Sequence, residues 1–155
     1  MIKSRSCCWS ALAVGIGLGL SPLDAAGQNE RLVGAWAPDA YVLESGTRHD
    51  VAGRIFFTDT DWTVLFFVTE DGEVRRGSAE GGTYAATGDR LVLNHLYNLS
   101  AGEAMEGLAE SSLQMTLRAP EDGTTEATTF AVDGDRLTLY FPSGNRMEFS
   151  RASSL

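Results

Sequence analysis

Cysteine is almost absent, since the only two residues, Cys7 and Cys8, both stand ahead of Trp9. Lysine occurs once, as Lys3, so every later cation is an arginine, and histidine is confined to His49 and His95. These shortages exclude several chemistries together. Beyond Cys8 no disulfide, thiolate metal site, thiol nucleophile or Schiff-base lysine can form. The two histidines lack metal-ligand spacing, and no Gly-x-Ser-x-Gly elbow is present. Acidic turns at Asp59 and Asp61, Glu70-Asp71 and Glu121-Asp122 complete no calcium loop of alternating ligands. Catalytic residues, metal ligands and cofactors are therefore all assigned as none. A basic run is missing too. With a formal net charge of −9, the chain is not expected to bind nucleic acid or an anionic membrane.

The one uncharged stretch of any length, Ser6 to Pro22, follows Lys3 and Arg5 and meets Ala25-Ala26-Gly27. It is shorter than the ~20 apolar residues of a membrane span and is interrupted by glycines. Residues 1–27 read as a secretory signal peptide cut before Gln28, with cleavage after Ala25 nearly as good and retention as an anchor the alternative. Gly15, Gly17 and Gly19 imitate part of a dinucleotide loop but belong to this segment. Removal of Lys3, Arg5 and Asp24 takes the formal charge from −9 to −10. The expected product is a single domain, residues 28–155, secreted or periplasmic and free of the membrane.

What the rest of the chain does contain is turn chemistry. Gly-Asp, Asp-Gly and Ser-Gly-Asn separate short runs rich in Val, Leu, Phe, Tyr and Thr, the spacing of an antiparallel all-β domain. "TYAATGDRLVL" (Thr83–Leu93) and "TFAVDGDRLTL" (Thr129–Leu139) agree at seven of eleven positions. Each reads as a β-hairpin closed by a two-residue Gly-Asp loop, glycine supplying the positive φ of a type II′ turn. Alternation then puts Tyr84, Ala86, Leu91, Leu93 and His95 on one face, with Tyr97 continuing the row. Phe130, Val132, Leu137, Leu139 and Phe141 share the matching face. The last hairpin is assigned a three-residue loop, Ser143-Gly144-Asn145, which sets Phe141 opposite Met147 and Leu139 opposite Phe149.

Both faces of Thr63–Val68 are apolar, so that strand needs cover on two sides. Ser100 with Glu103 forms a capping-box pattern followed by Ala104, Met105, Leu108 and Ala109, which predicts a short helix or helical turn as one cover. An Asp71-Gly72 hairpin would set Trp62, Val64 and Phe66 opposite Gly81, Ala79 and Gly77, and Gly81-Gly82 is the natural place for a bulge. His49-Asp50 is expected in an exposed loop before a strand at Arg54. The architecture expected is an antiparallel up-and-down β-barrel of about eight to ten strands with one short helix or helical turn.

The mature region opens on "RLVGAW" (Arg31–Trp36) and closes on "MEFSR" (Met147–Arg151). With the repeated Thr-aromatic…Gly-Asp-x-Leu-x-Leu hairpins, this resembles the bacterial lipocalin-like domain family, although no Thr-Asp-x-Tyr motif is present and "FTDTDW" (Phe57–Trp62) only approaches one. The resemblance implies that Trp36 plugs one end of the barrel and that Arg151 stacks over it, a cation–π pair worth ~0.5–2 kcal/mol.

A barrel of this kind is expected to hold a small, partly apolar ligand. Its lining candidates are Trp62, Phe66, Tyr84, His95, Phe130, Phe141 and Met147, and Arg75 stands at the rim, suited to a ligand carboxylate. Two alternatives stay open. One is a secreted or envelope interaction or inhibitor module with a filled barrel and a protein partner. The other is a small barrel isomerase or hydrolase using His95, which requires His95 to line an open pocket with a carboxylate in reach. The enzymatic reading is the less favoured.

Overall fold

Glycine sets the turns. Gly88 and Gly134 hold φ of 65° and 56°, and their Gly-Asp loops close two hairpins in the expected register. Tyr84 faces Leu93 and Ala86 faces Leu91 in one; Phe130 faces Leu139 and Val132 faces Leu137 in the other. The computed structural model describes residues 30–152, so the expected leader and its cleavage site lie outside the described residues.

Among the described residues nine strands follow in chain order: β1 (Gly34–Val42), β2 (Arg48–Phe57), β3 (Asp61–Glu70), β4 (Glu73–Thr87), β5 (Arg90–Gly102), β6 (Ser111–Leu117), β7 (Thr124–Asp133), β8 (Arg136–Tyr140) and β9 (Arg146–Arg151). All pairings are antiparallel. β1 to β5, β7, β8 and β9 each pair with the next, and β9 returns to β1, so eight strands close a barrel. β6 stands outside the ring. The first part of β5 pairs with β7, and its last part, from Tyr97 to Gly102, pairs with β6.

Several expected strands prove to be longer than their sequence signals. β1 runs on through Pro38 across a register shift between Trp36 and Tyr41, and β4 runs on through Gly81-Gly82 to Thr87. His49 is not in an exposed loop: β2 begins at Arg48, and His49 is buried, 7% exposed, with Nε2 donating to the Glu106 carbonyl at 3.0 Å. The capping box at Ser100 does not start a helix, because Ser100 to Gly102 continue β5 and Ser100 pairs with Gln114. The helical turn falls instead at Pro120–Asp122, as one turn of 3-10 helix. The last loop is Pro142-Ser143-Gly144, with Phe141 N–H donating to Asn145, so Leu139 faces Met147 and Leu137 faces Phe149. The offset is two residues; because two is the side-chain period of a strand, the inward set is unchanged.

The barrel is packed at one end. Leu32, Trp36, Ile55, Phe57, Tyr84, Ala86, Leu91, Phe130, Leu137 and Phe149 are buried in a single cluster there. Trp36 Nε1 donates to the Leu32 carbonyl at 2.8 Å, and the Arg151 guanidinium lies 4.0 Å from the Trp36 ring centre. Arg151 also donates to the carbonyls of Val33 and Arg31, both at 3.1 Å, and so ties β9 to the chain entering β1.

Arg151→Met keeps the apolar stem but removes the cation and its donors. It is expected to lower the unfolding free energy in urea by about 1–3 kcal/mol. An unchanged midpoint and slope would show that the barrel end closes without it.

Candidate functional site

The other half of the barrel is hollow. A cavity of about 310 Å³ is lined by Trp62, Val64 and Phe66 from β3, Glu80 from β4, and Leu93 and His95 from β5. Tyr41, Glu126, Leu139 and Met147 complete the ring from β1, β7, β8 and β9, and Phe141, Pro142 and Ser143 close it from the β8–β9 turn. A second lobe of about 200 Å³ adjoins it toward the mouth, sharing Tyr41, Phe66 and Glu80.

Two irregularities bring polar groups into this space. β4 carries one extra residue near its start: Thr69 pairs with Val74 but Val68 pairs with Arg76, leaving Arg75 unpaired in the ladder. The extra residue reverses the facing of everything beyond it. Gly77, Ala79 and Gly81 therefore do not face Phe66, Val64 and Trp62 as the plain hairpin register implies; Ser78, Glu80 and Gly82 do. On β5, Gly82 pairs with His95 and Gly81 with Tyr97, so Leu96 is a second extra residue, located at the Gly81-Gly82 step where a bulge is expected. Beyond it Asn98 pairs with Glu80 and Ser100 with Ser78. Tyr97 is turned to the outer surface, 39% exposed, and does not continue the His95 row.

Gly82 stands between Trp62 on β3 and His95 on β5. It has no side chain to separate them, and a Cβ there would meet the Asn94 carbonyl. The two rings meet edge to face, with centroids 5.0 Å apart and planes at 82°. His95 Nδ1 lies 3.2 Å from Glu80 Oε2, and Ser78 Oγ donates to Glu80 Oε1 at 2.5 Å. Burial pushes the Glu80 carboxyl up, yet the bonds from His95, Ser78 and Asn98 and the His95 charge together outweigh it and leave the pKa below its ordinary 4.5. Across the cavity Tyr41 Oη accepts from Asn145 Nδ2 at 2.7 Å. Burial raises the Tyr41 pKa against the opposing pull of that bond, so the phenol stays neutral and able to donate.

Of the candidates named from sequence, Trp62, Phe66, His95, Phe141 and Met147 meet around this cavity. Tyr84 and Phe130 belong to the packed cluster, where Tyr84 stands edge-on to Phe57 at 5.2 Å and donates to the Thr58 carbonyl. Arg75 is not at the cavity rim. It reaches Glu70, Glu73 and Glu103 at 3.7, 3.5 and 3.1 Å and lines an outer groove with Leu65, Phe67 and Val74. That groove is the uncovered outer face of β3, where Leu65 remains 48% exposed because no helix folds over it.

Sequence reasoning missed Glu80, Glu126 and Tyr41. Glu126 alternates with Thr128, Phe130 and Val132 along β7, so extending that strand by one inward position would have found it. Glu80 follows from the same alternation run back from Tyr84 through Gly82, but the plain Asp71-Gly72 register points the other way, because the extra residue at Arg75 is not announced by glycine or proline.

Residues 103–110 cross beside the mouth. Arg76 donates to the carbonyls of Glu103 and Ala109, His49 to that of Glu106, and Thr47 Oγ1 to the Glu106 carboxylate at 3.2 Å. Among the described residues no group of three or more His, Cys, Asp and Glu is placed to hold a metal ion. Known protein families, characterised proteins and solved structures give no match to this chain.

Because the folded-state pKa of Glu80 is lowered, its contribution is complete above 4.5 and is lost as pH falls through the lower folded value. Thermal midpoints of the wild type and of Glu80→Gln, followed from about pH 6 to about pH 3, are expected to converge toward acid. A constant gap over that range would remove Glu80 as a source of acid sensitivity.

Proposed function

We propose that the chain is an exported, lipocalin-like carrier, secreted or periplasmic, that holds a small, partly apolar molecule in its barrel without transforming it. The observation that carries this reading is the hollow half. A volume of about 310 Å³ lies at the lower end of the range of small-molecule sites. Its walls are mostly apolar and aromatic, with a few convergent polar groups, which is the composition such sites require. The paired β1–β9 seam and the Arg151–Trp36 stack support the lipocalin-like part of the reading. The same cavity weighs against an interaction module with a filled interior.

A second reading draws on the His95–Glu80 pair. His95 lines the cavity with a carboxylate 3.2 Å from Nδ1, the arrangement that a His-based isomerase or hydrolase requires. Turnover of a small ester or enolisable carbonyl compound that disappears in His95→Gln would favour it over the carrier. Turnover that survives in this variant would remove it.

An apolar fluorescent probe is expected to bind the wild type and to quench the Trp62 emission, identified as the part lost in Trp62→Phe. Phe66→Arg should weaken uptake by about 10-fold or more, equivalent to ~1.4 kcal/mol. Phe130→Arg is different. Its site lies in the packed cluster, so the loss expected is of folding, read by circular dichroism, and not of binding alone. A wild-type protein that takes up no probe would overturn the carrier.

A further inference from the structure

The cavity has a sign. Two carboxylates, Glu80 and Glu126, line it, and among the described residues no lysine or arginine does. Glu80 is engaged by His95, Ser78 and Asn98. Glu126 accepts only from Thr128 Oγ1, at 3.2 Å, and forms no ion pair among the described residues. The nearest cation in the adjoining lobe, Arg76, is held by two backbone carbonyls of residues 103–110. Around the carboxylates stand the rings of Tyr41, Trp62, Phe66 and Phe141, and aromatic π-faces attract cations.

A separate observation points to an occupant. Trp62 is only 4% exposed, and its Nε1 is sealed from solvent without an acceptor among the described residues. A buried donor left unpaired costs ~1–3 kcal/mol, so such groups are uncommon in native interiors and call for an explanation. Every other polar group named on this wall has a partner: His95 has Glu80, Tyr41 has Asn145, and Glu126 has Thr128. Only the indole lacks one; its ring lines the cavity while Nε1 is turned away from the open space, so an acceptor bound there meets the N–H only when the ring turns.

Resting on the carrier reading above, we propose that the ligand is a cationic amine on an apolar, ring-sized body. Its ammonium group sits at Glu126 and Glu80 among the aromatic rings, and with the Trp62 ring turned toward it an acceptor atom on the same molecule takes the N–H. Burying an ammonium ion is costly unless it is paired and hydrogen-bonded. Glu126 supplies the missing partner, and a charge-assisted bond of this kind is about twice as strong as a neutral one.

The test uses three probes of one shape on the intact protein, by titration calorimetry: 2-phenylethylamine, 2-phenylethanol and 3-phenylpropanoate. The expected order is amine tightest, the alcohol weaker by about 10-fold, and the carboxylate weakest. Glu126→Gln should weaken the amine far more than the alcohol, so that the preference is lost, and the remaining alcohol binding shows that this variant is folded. An amine bound no better than the alcohol, or a carboxylate bound best, overturns the proposal and leaves the carrier standing. So does an apolar fluorescent probe that binds where the amine does not. If neither the three compounds nor the apolar probe binds, the carrier reading falls with it. Should Glu126→Gln fail to fold, the order of the three compounds on the wild type still decides.

Discussion

In an antiparallel sheet the chain has one binary choice at each residue, inward or outward, and a single inserted residue reverses that choice for everything after it. Arg75 is such a residue. Had β4 paired straight from the Asp71-Gly72 turn, Gly77, Ala79 and Gly81 would face the interior, and Glu80 would lie outside with Leu65 and Phe67. The insertion puts Ser78 and Glu80 inside instead, and Leu96 does the same service for Asn98 and Ser100 on β5. The polar cluster in the hollow half is a consequence of these two positions. The outer groove is its counterpart, since the small residues displaced from the interior leave Leu65 and Phe67 standing over Gly77 and Ala79.

A carboxylate inside a barrel needs an energetic reason to stay ionised. Burial alone raises the Glu80 pKa; three donors, with the charge of one of them, His95, reverse that. Two of those donors stand where the register shifts place them, Ser78 opposite Phe66 and Asn98 opposite Glu80; His95 needs only the plain alternation of β5. Stability is supplied mainly elsewhere, from Trp36, Phe149, Leu91, Leu137 and their neighbours, which are shut from water at the other end. Fully burying a side chain of this size contributes ~1.5–3 kcal/mol relative to exposure. The packed cluster can therefore offset the charged groups and the empty volume of the hollow half.

Much of this was legible from the residues. Turn chemistry gave both Gly-Asp hairpins with their pairing, and alternation gave the facing of Tyr84, Leu93, Phe130 and Leu139. The terminal Arg151 lies over Trp36 at 4.0 Å as the family resemblance implied. Even the misplaced last loop kept the correct facing, because its error was an even number of residues. Odd errors were different. The insertion at Arg75 has no sequence signature, so the plain hairpin register sets Gly77, Ala79 and Gly81 opposite the large rings, passes over Glu80, and puts Arg75 at the rim. His49 looked like a loop residue because its neighbours Arg48 and Asp50 are polar, yet it is held by a backbone carbonyl from residues far along the chain. The Ser100–Glu103 pattern is a fair local signal for a helix; pairing with β6 overrode it, as long-range partners often override local preference.

The separation of a filled end from a vacant one has an evolutionary consequence. Replacements among Phe141, Met147 and Glu126 reshape the wall of the hollow, while the distant cluster around Trp36 continues to hold the scaffold. A descendant lineage could thus remodel the hollow through a handful of wall positions and keep the same ring of strands, whereas drift near Phe149 would be purged for its effect on the whole.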